Sequence, residues 1–220
     1  MTLAADSLAD RAAQALQRDI LAGALAPGAR LPVHDLAARY AIGVTPLREA
    51  LSGLSALGLV VGGRRGFRVA DVSREDLADI TLARQAVEAA ALRRSLAQGD
   101  AEWEAGIVAA LHVLRRLAGT VETPAGASAE FDAAHKRFHA ALIAACRSPR
   151  LLRLQSALYD EAYRYRRVMM TRFEGWADFL RGHEALAKPI LARDAPAALA
   201  ALMAHLASTL RYVYPDEQRR

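Results

Sequence analysis

Cysteine, lysine and aromatic side chains are scarce in this chain. Its 220 residues include one cysteine, Cys146, and two lysines, Lys136 and Lys188, and only 6% are aromatic. A single cysteine excludes an internal disulfide framework and suits a reducing compartment, so a cytoplasmic location is expected. Long apolar runs are missing as well. Stretches such as Ile107–Leu111 fall far short of the roughly 20 residues that a membrane span needs. The opening Met-Thr-Leu-Ala-Ala-Asp-Ser-Leu-Ala-Asp has no basic segment and carries an early acid, unlike a secretory leader. What is abundant is apolar: 53% of residues are hydrophobic and 24% charged, which excludes disorder and leaves enough material for real cores. The net charge of +5 is modest for this size, so a basic face matters more than a basic whole. Positive charge is almost all Arg, whose planar fork makes contacts that Lys cannot. A compositional bias towards Arg and Ala accounts for the same excess.

Two regions differ in texture. Residues 6–70 carry turn signals, several glycines and a strand-like run, whereas residues 73–213 read as helix after helix. In the first region Leu8, Ala12, Leu16 and Ile20 recur at helical spacing, predicting an amphipathic helix over 6–22. Ala26-Pro27-Gly28 marks a turn, and Leu31-Pro32 leads into a short helix reaching about Tyr40. Ala41-Ile42-Gly43 breaks it. Thr45-Pro46 then opens a further helix, with Thr45 as cap, Pro46 at the first helical position, Leu47, Leu51 and Leu54 inward and Gly58 as the stop. Leu59-Val60-Val61, a Gly- and Arg-rich tip, and Phe67-Arg68-Val69 predict a small hairpin. In the second region Ser73 caps the first of a series of helices, expected near 73–98, 101–118, 127–147, 149–172, 176–192 and 195–213. Residues 119–128 are expected to form a mobile loop.

The fold class expected is therefore mainly α: an N-terminal winged helix-turn-helix with a small β-hairpin over residues 6–70, and a C-terminal all-α bundle over 73–213. This order of elements suits duplex DNA. A helix fits the major groove and offers its N-terminal amides to phosphate. Thr45 and Arg48 stand at that end, Arg64 and Arg65 at the wing tip are within reach of a phosphate or a minor groove, and Arg39 is placed to hold the backbone. Solvated arginines on a fold that never meets DNA are the competing reading.

Of the six histidines, His34 lies in the first region and His112 stands alone on a helix as a partly exposed polar residue. His135 and His139, at i and i+4, share one helix face and can grip a single ion. His183 and His205 lie on two later helices, and Leu202, His205, Leu206 and Thr209 share a stripe that points His205 into the bundle. Metal sites in bundles are built from such inward side chains. Four unrelated polar residues remain the alternative.

Four motifs in order make the first region resemble the GntR family of transcription regulators. They are Ile20-Leu21-Ala22-Gly23-Ala24-Leu25-Ala26-Pro27-Gly28-Ala29-Arg30-Leu31, Leu36-Ala37-Ala38-Arg39-Tyr40, Thr45-Pro46-Leu47-Arg48-Glu49-Ala50-Leu51, and Leu54 to Val60 with Arg65-Gly66-Phe67 and Val69. The resemblance implies Thr45 and Arg48 in the groove and Arg64, Arg65 and Gly66 at the wing. Two positions depart from the family pattern. Gly43-Val44 replaces the usual Ser-Arg, and His34 stands where a DNA-contacting Arg is common, so the operator differs from that of better-known members. The second region is similar to the helical FCD effector domain of the FadR branch. The similarity runs through Arg84 to Glu88, Phe138-His139 to Leu142, Cys146 to Ser148, Gly182-His183 to Leu186, and Ala204-His205-Leu206.

Many FCD domains hold a divalent ion with one Asp and three His, the Asp lying four residues before the first His. The resemblance carries over His139, His183 and His205, with His135 in the Asp position as a substituted fourth ligand and Asp132 as a weaker candidate. An additional imidazole favours Zn, with Ni second, over Mn or Mg. The resemblance also places Arg84 beside the metal, paired with an effector carboxylate. Tyr159, Tyr163, Arg164 and Arg166, on the helix expected over 149–172, are further candidates for that cavity, one or two of them lining it, with Arg164 the one chosen for effector binding. The function expected is a DNA-binding repressor, homodimeric on a pseudo-palindromic double-stranded operator and controlled by a small carboxylate at a metal-containing pocket, with no membrane partner and no catalysis. The alternatives are a metal-dependent enzyme with a fused DNA-binding head and a metal-free dimeric DNA-binding protein.

Overall fold

The computed structural model describes residues 7–120, 128–165, 170, 173 and 175–215. The chain divides into two compact units, Met1–Ser73 and Arg74–Arg220.

In the first unit, α1 (Leu8–Leu21) is opened by a capping box in which the Ser7 hydroxyl accepts from the Asp10 amide and Asp10 reaches back to the Ser7 amide. Its apolar stripe is Ala12, Leu16 and Ile20, packed against α3 (Val44–Ala56), which contributes Leu47, Ala50, Leu51 and Leu54. Leu8, expected in that stripe, is exposed as the first residue of the helix. Between them lies α2 (Val33–Arg39), followed by Ala41 at φ +51, which turns the chain towards α3. Helix α3 is capped by Gly43 rather than Thr45, and Pro46 falls in its first turn, where a missing amide hydrogen costs nothing. The wing has one strand more than the hairpin pattern predicts. β1 (Arg30–Leu31) joins β2 (Val60–Gly63) and β3 (Gly66–Val69) in an antiparallel sheet ordered β1-β3-β2. Two residues are too few to show a period in sequence. Arg30 faces Arg68, and Gly63 faces Gly66, so Arg64-Arg65 is a two-residue tip. Gly66 at φ +97 supplies the left-handed backbone that this tip needs.

The second unit is a helical bundle. Its elements are α4 (Arg74–Gln98), α5 (Ala101–Ala118), α6 (Ala129–Leu142), α7 (Pro149–Tyr163), α8 (Trp176–Leu191) and α9 (Ala195–Val213). Helix α4 packs on α7 and α9, α5 packs on α6 and α8, and α8 lies on α9. Phe131, Phe138, Phe179, Leu92, Ile107 and Leu206 are fully enclosed where these helices meet. The expected single helix over 127–147 is interrupted. It ends at Leu142, a 3-10 turn covers Ala144–Cys146, and Arg147 at φ +48 sets up the Ser148 cap of α7. The far part of the helix expected over 149–172 and residues 121–127 of the loop expected to be mobile lie outside the described residues. Trp103 closes a corner of the bundle: its indole donates to the Ala141 carbonyl at 2.9 Å, and the Arg193 guanidinium lies 4.9 Å over its ring. No helix of the described residues is long and apolar enough to cross a membrane.

Candidate functional site

In the first unit the expected DNA-contacting residues lie on the surface. Thr45 and Arg48 are exposed on the outer face of α3, opposite its buried leucines. The Gly43 cap offers no side chain to the first amides of α3, so they remain open to an incoming acceptor. His34 is exposed at the start of α2. Arg39 is exposed but tethered: its guanidinium meets Asp19 of α1 at 2.9 Å, and the Tyr40 hydroxyl donates to the same carboxylate at 2.5 Å. Arg64, Arg65 and Gly66 form the exposed wing tip. Sequence reasoning missed Arg30 and Arg68, which join Arg64 and Arg65 around one hollow of the wing. Their pairing depends on β1, the strand too short to read. Arg68 is also ion-paired with Asp71.

In the second unit four imidazoles converge. The stripe Phe131, His135, Phe138, His139 and Leu142 turns one face of α6 inward, so both histidines are buried. Helix α8 contributes buried His183, and α9 contributes half-buried His205. His135 Nε2 lies 2.8 Å from His183 Nε2 and 3.1 Å from His139 Nε2. The His205 ring centre is 5.2 Å from that of His139 and 4.8 Å from that of His183. Among the described residues, the group whose donor atoms all lie within 4.8 Å of one another is His135, His139 and His183; neither the expected ligand His205 nor Asp132 is in it.

Burial pushes His135, His139 and His205 well below the usual histidine pKa, and the neighbouring imidazoles and Arg84 push the same way. These rings are therefore neutral and present lone pairs. For His183 the outer nitrogen settles where the lone pair points. His183 Nδ1 donates to the Phe179 carbonyl at 2.8 Å, which leaves its Nε2 as an acceptor facing the centre. His135 Nδ1 lies 2.6 Å from the Tyr159 hydroxyl, which burial holds protonated by raising its pKa. His139 Nδ1 is enclosed and has no partner among the described residues. Two lone pairs 2.8 Å apart repel unless a proton or cation lies between them. Donors around a tetrahedral ion at 2.0–2.1 Å stand roughly 3.3 Å apart, close to the spacing here. The residues present thus fit a divalent ion, and an all-nitrogen set suits Zn or Ni.

A cavity of about 290 Å³ opens beside the cluster, with Arg84, the four histidines, Tyr159, Thr209 and Tyr212 among its walls. Arg84, on α4, is buried. Its Nε donates to Glu88 Oε1 at 2.8 Å, while one terminal nitrogen is enclosed without a partner among the described residues. Burial raises the Glu88 carboxyl, and Arg84 opposes that rise. Arg164, the other expected effector residue, does not line this cavity. Its guanidinium meets Asp76 at 3.1 Å, because the chain turns at the end of α7 and carries it towards the start of α4. Ser208, Thr209, Tyr212 and Phe173, which sequence reasoning missed, also line the cavity. The stripe containing Leu202, His205 and Thr209 was the available signal for Thr209.

Known proteins resemble both units. Residues 8–69 match the family described as bacterial regulatory proteins, gntR family, and residues 79–208 match the FCD domain. The HTH-type transcriptional regulator BphR of Paraburkholderia xenovorans (strain LB400) is 39% identical over 209 residues, covering 94% of this chain and 85% of that protein. The HTH-type transcriptional repressor GlaR of Escherichia coli (strain K12) is 38% identical over 196 residues, covering 87% and 89% respectively. Among solved structures, a GntR transcriptional regulator from Rhodococcus sp. RHA1 superposes with a TM-score of 0.76 at 25% identity, over 94% of this chain and 98% of that one. These relatives are transcription regulators and not enzymes. The chain belongs to the GntR family of bacterial transcription regulators, with an FCD domain as its second part.

Proposed function

We propose that this regulator is a homodimeric repressor whose grip on a pseudo-palindromic operator is controlled by a small carboxylate. The observation that carries the reading is the Arg84 terminal nitrogen, buried and without a partner among the described residues, in the same cavity as four imidazoles. A guanidinium edge of this kind matches a carboxylate. His135, His139 and His183, with His205 beside them, would hold a divalent ion, Zn or Ni, which supplies a Lewis-acidic centre when bound. Glu88 holds the inner edge of Arg84 and leaves the other edge to the ligand. Thr45 and Arg48 read the major groove, with His34 and Arg39 near the backbone and Arg64, Arg65 and Gly66 at the wing. A two-fold protein on a two-fold site explains the homodimer. The name of GlaR supports repression, and a role on chromosomal DNA supports a cytoplasmic location.

Effector control requires the acid to favour one state of the protein, with a coupling of about 1–3 kcal/mol, or roughly 5- to 150-fold in operator affinity. A thermal-shift screen of small carboxylates, with and without Zn²⁺ or Ni²⁺, tests this. A hit should raise the melting temperature and weaken operator binding in a mobility-shift assay. Silence across a broad panel with metal present would instead favour a dimer that binds DNA without sensing.

A further inference from the structure

We propose that Tyr159 is the positioning residue that orients His135 and accepts its Nδ1 hydrogen in the tautomer able to ligate a cation. The inference rests on the metal reading above and adds a residue outside the donor set.

A neutral imidazole carries one N–H and one lone pair, and only the lone pair binds a metal. For His183 the choice is made by the backbone. The Phe179 carbonyl can only accept, so Nδ1 keeps the hydrogen and Nε2 faces the centre as a donor atom. His135 differs. The atom at its Nδ1 is the Tyr159 hydroxyl oxygen, 2.6 Å away. A hydroxyl plays either role. When it accepts from Nδ1–H, the His135 Nε2 lone pair is free; when it donates to Nδ1, the hydrogen sits on Nε2 and blocks the site. A cation shared by the Nε2 atoms of His135 and His183, which lie 2.8 Å apart, selects the first arrangement. Tyr159 then takes the Nδ1 hydrogen that would otherwise be buried unpaired.

The packing keeps that oxygen in place. Tyr159 is 4% exposed. Its ring lies 5.6 Å from the Arg84 guanidinium carbon and 5.7 Å from Lys136 Nζ. The residues next in sequence form a second tie between the same helices: Lys136 Nζ meets both Asp160 oxygens, at 2.6 and 2.7 Å. The pairs 135/159 and 136/160 therefore lock α6 and α7 in register, so the hydroxyl cannot drift from Nδ1. This second contact of a ligating histidine is the kind that orients the ring and raises its basicity.

The test uses Tyr159→Phe in the full chain, which removes the hydroxyl and keeps the ring. Zn²⁺ affinity is measured by competition with a chromogenic chelator, and the Zn-loaded proteins are compared by long-range ¹H–¹⁵N spectra of the histidine rings. The expected result is a loss of about 10- to 100-fold in Zn²⁺ affinity. The His135 Nδ1–H signal, protected in the wild type, should be lost to exchange in the variant, while the His183 Nδ1–H signal stays unchanged. Zn²⁺ affinity within twofold of the wild type overturns the proposal. So does a shift of the His183 signal along with that of His135, which marks a packing role. A wild-type chain that binds no Zn²⁺ overturns the metal reading as well, and that outcome is seen before any variant is made.

Discussion

Arg84 and Glu88 stand one turn apart on α4 and meet inside the protein, Nε to Oε1, at 2.8 Å. A pair at this spacing on a helix surface contributes a few tenths of a kcal/mol. Here both side chains are enclosed, at 8% and 1% exposure, so the loss of one strands the other. Arg84→Ala should blunt the response to a carboxylate effector while leaving operator binding intact, as read by mobility shift with and without ligand. It should also lower the melting temperature at neutral pH. Without Arg84 the Glu88 carboxyl is raised further by burial, so the folded state binds its proton more readily than the unfolded chain does. The stability deficit should therefore grow as pH rises past the wild-type Glu88 value, which burial already holds above the ordinary glutamate value of about 4.3, and shrink on acidification. A deficit independent of pH would assign the loss to packing alone.

The histidine cluster has the opposite sign. His135, His139 and His205 are held below the ordinary value of about 6.5. As pH falls through that value the unfolded chain takes up protons that the folded chain refuses, and stability drops. Chelator-treated protein should melt at progressively lower temperature from pH 7.5 to 5.5. His135→Gln should flatten that slope, because one such group is gone.

Elemental analysis gives a direct check on the donor set. His139→Ala combined with His183→Ala should abolish bound metal while the helical circular dichroism signal persists. Metal at the wild-type level in this double variant would place the ion elsewhere.

On the DNA side, Arg48→Ala should weaken operator binding by about 10- to 100-fold, the loss of one good base contact, with an unchanged melting temperature. Arg65→Ala at the wing tip should cost less and reduce the salt dependence of binding, as expected for a phosphate contact. Equal affinity of Arg48→Ala and the wild type would remove Arg48 from the groove.

Gly99→Ala probes packing at the Trp103 corner. A Cβ there would lie 2.1 Å from the Trp103 ring and 2.7 Å from the Ser95 carbonyl oxygen. Relief requires the indole to leave its bond to Ala141, so a loss of about 1–3 kcal/mol is expected in chemical denaturation.

Much of this was legible in the sequence, for identifiable reasons. The stripe Ala12, Leu16 and Ile20 and the leucines of α3 follow helical periodicity closely enough to locate both helices, because one face of each must be buried. His135 and His139 share a face by the same arithmetic. Other features depend on pairing across distance and leave no period. Strand β1 exists because Arg30 and Leu31 find β3, and the Tyr159 hydroxyl finds His135 only once α6 and α7 are side by side. The cap of α3 is not legible because Gly43 does the job through its extended backbone, without a side-chain signal. Residue type alone suggests Arg164 for the cavity; which way a side chain leaves a helix end is set by the turn that follows.

The chain's two tryptophans are placed usefully for an optical assay. Trp103 is shut into a corner under Arg193, whereas Trp176 packs at 4.7 Å on Phe131, whose ring stacks on His135. Emission from Trp176 should therefore respond to cavity occupancy through Phe131 and His135. With Trp103 replaced by Phe to silence the background, titrations of metal and acid become readable in unlabelled protein.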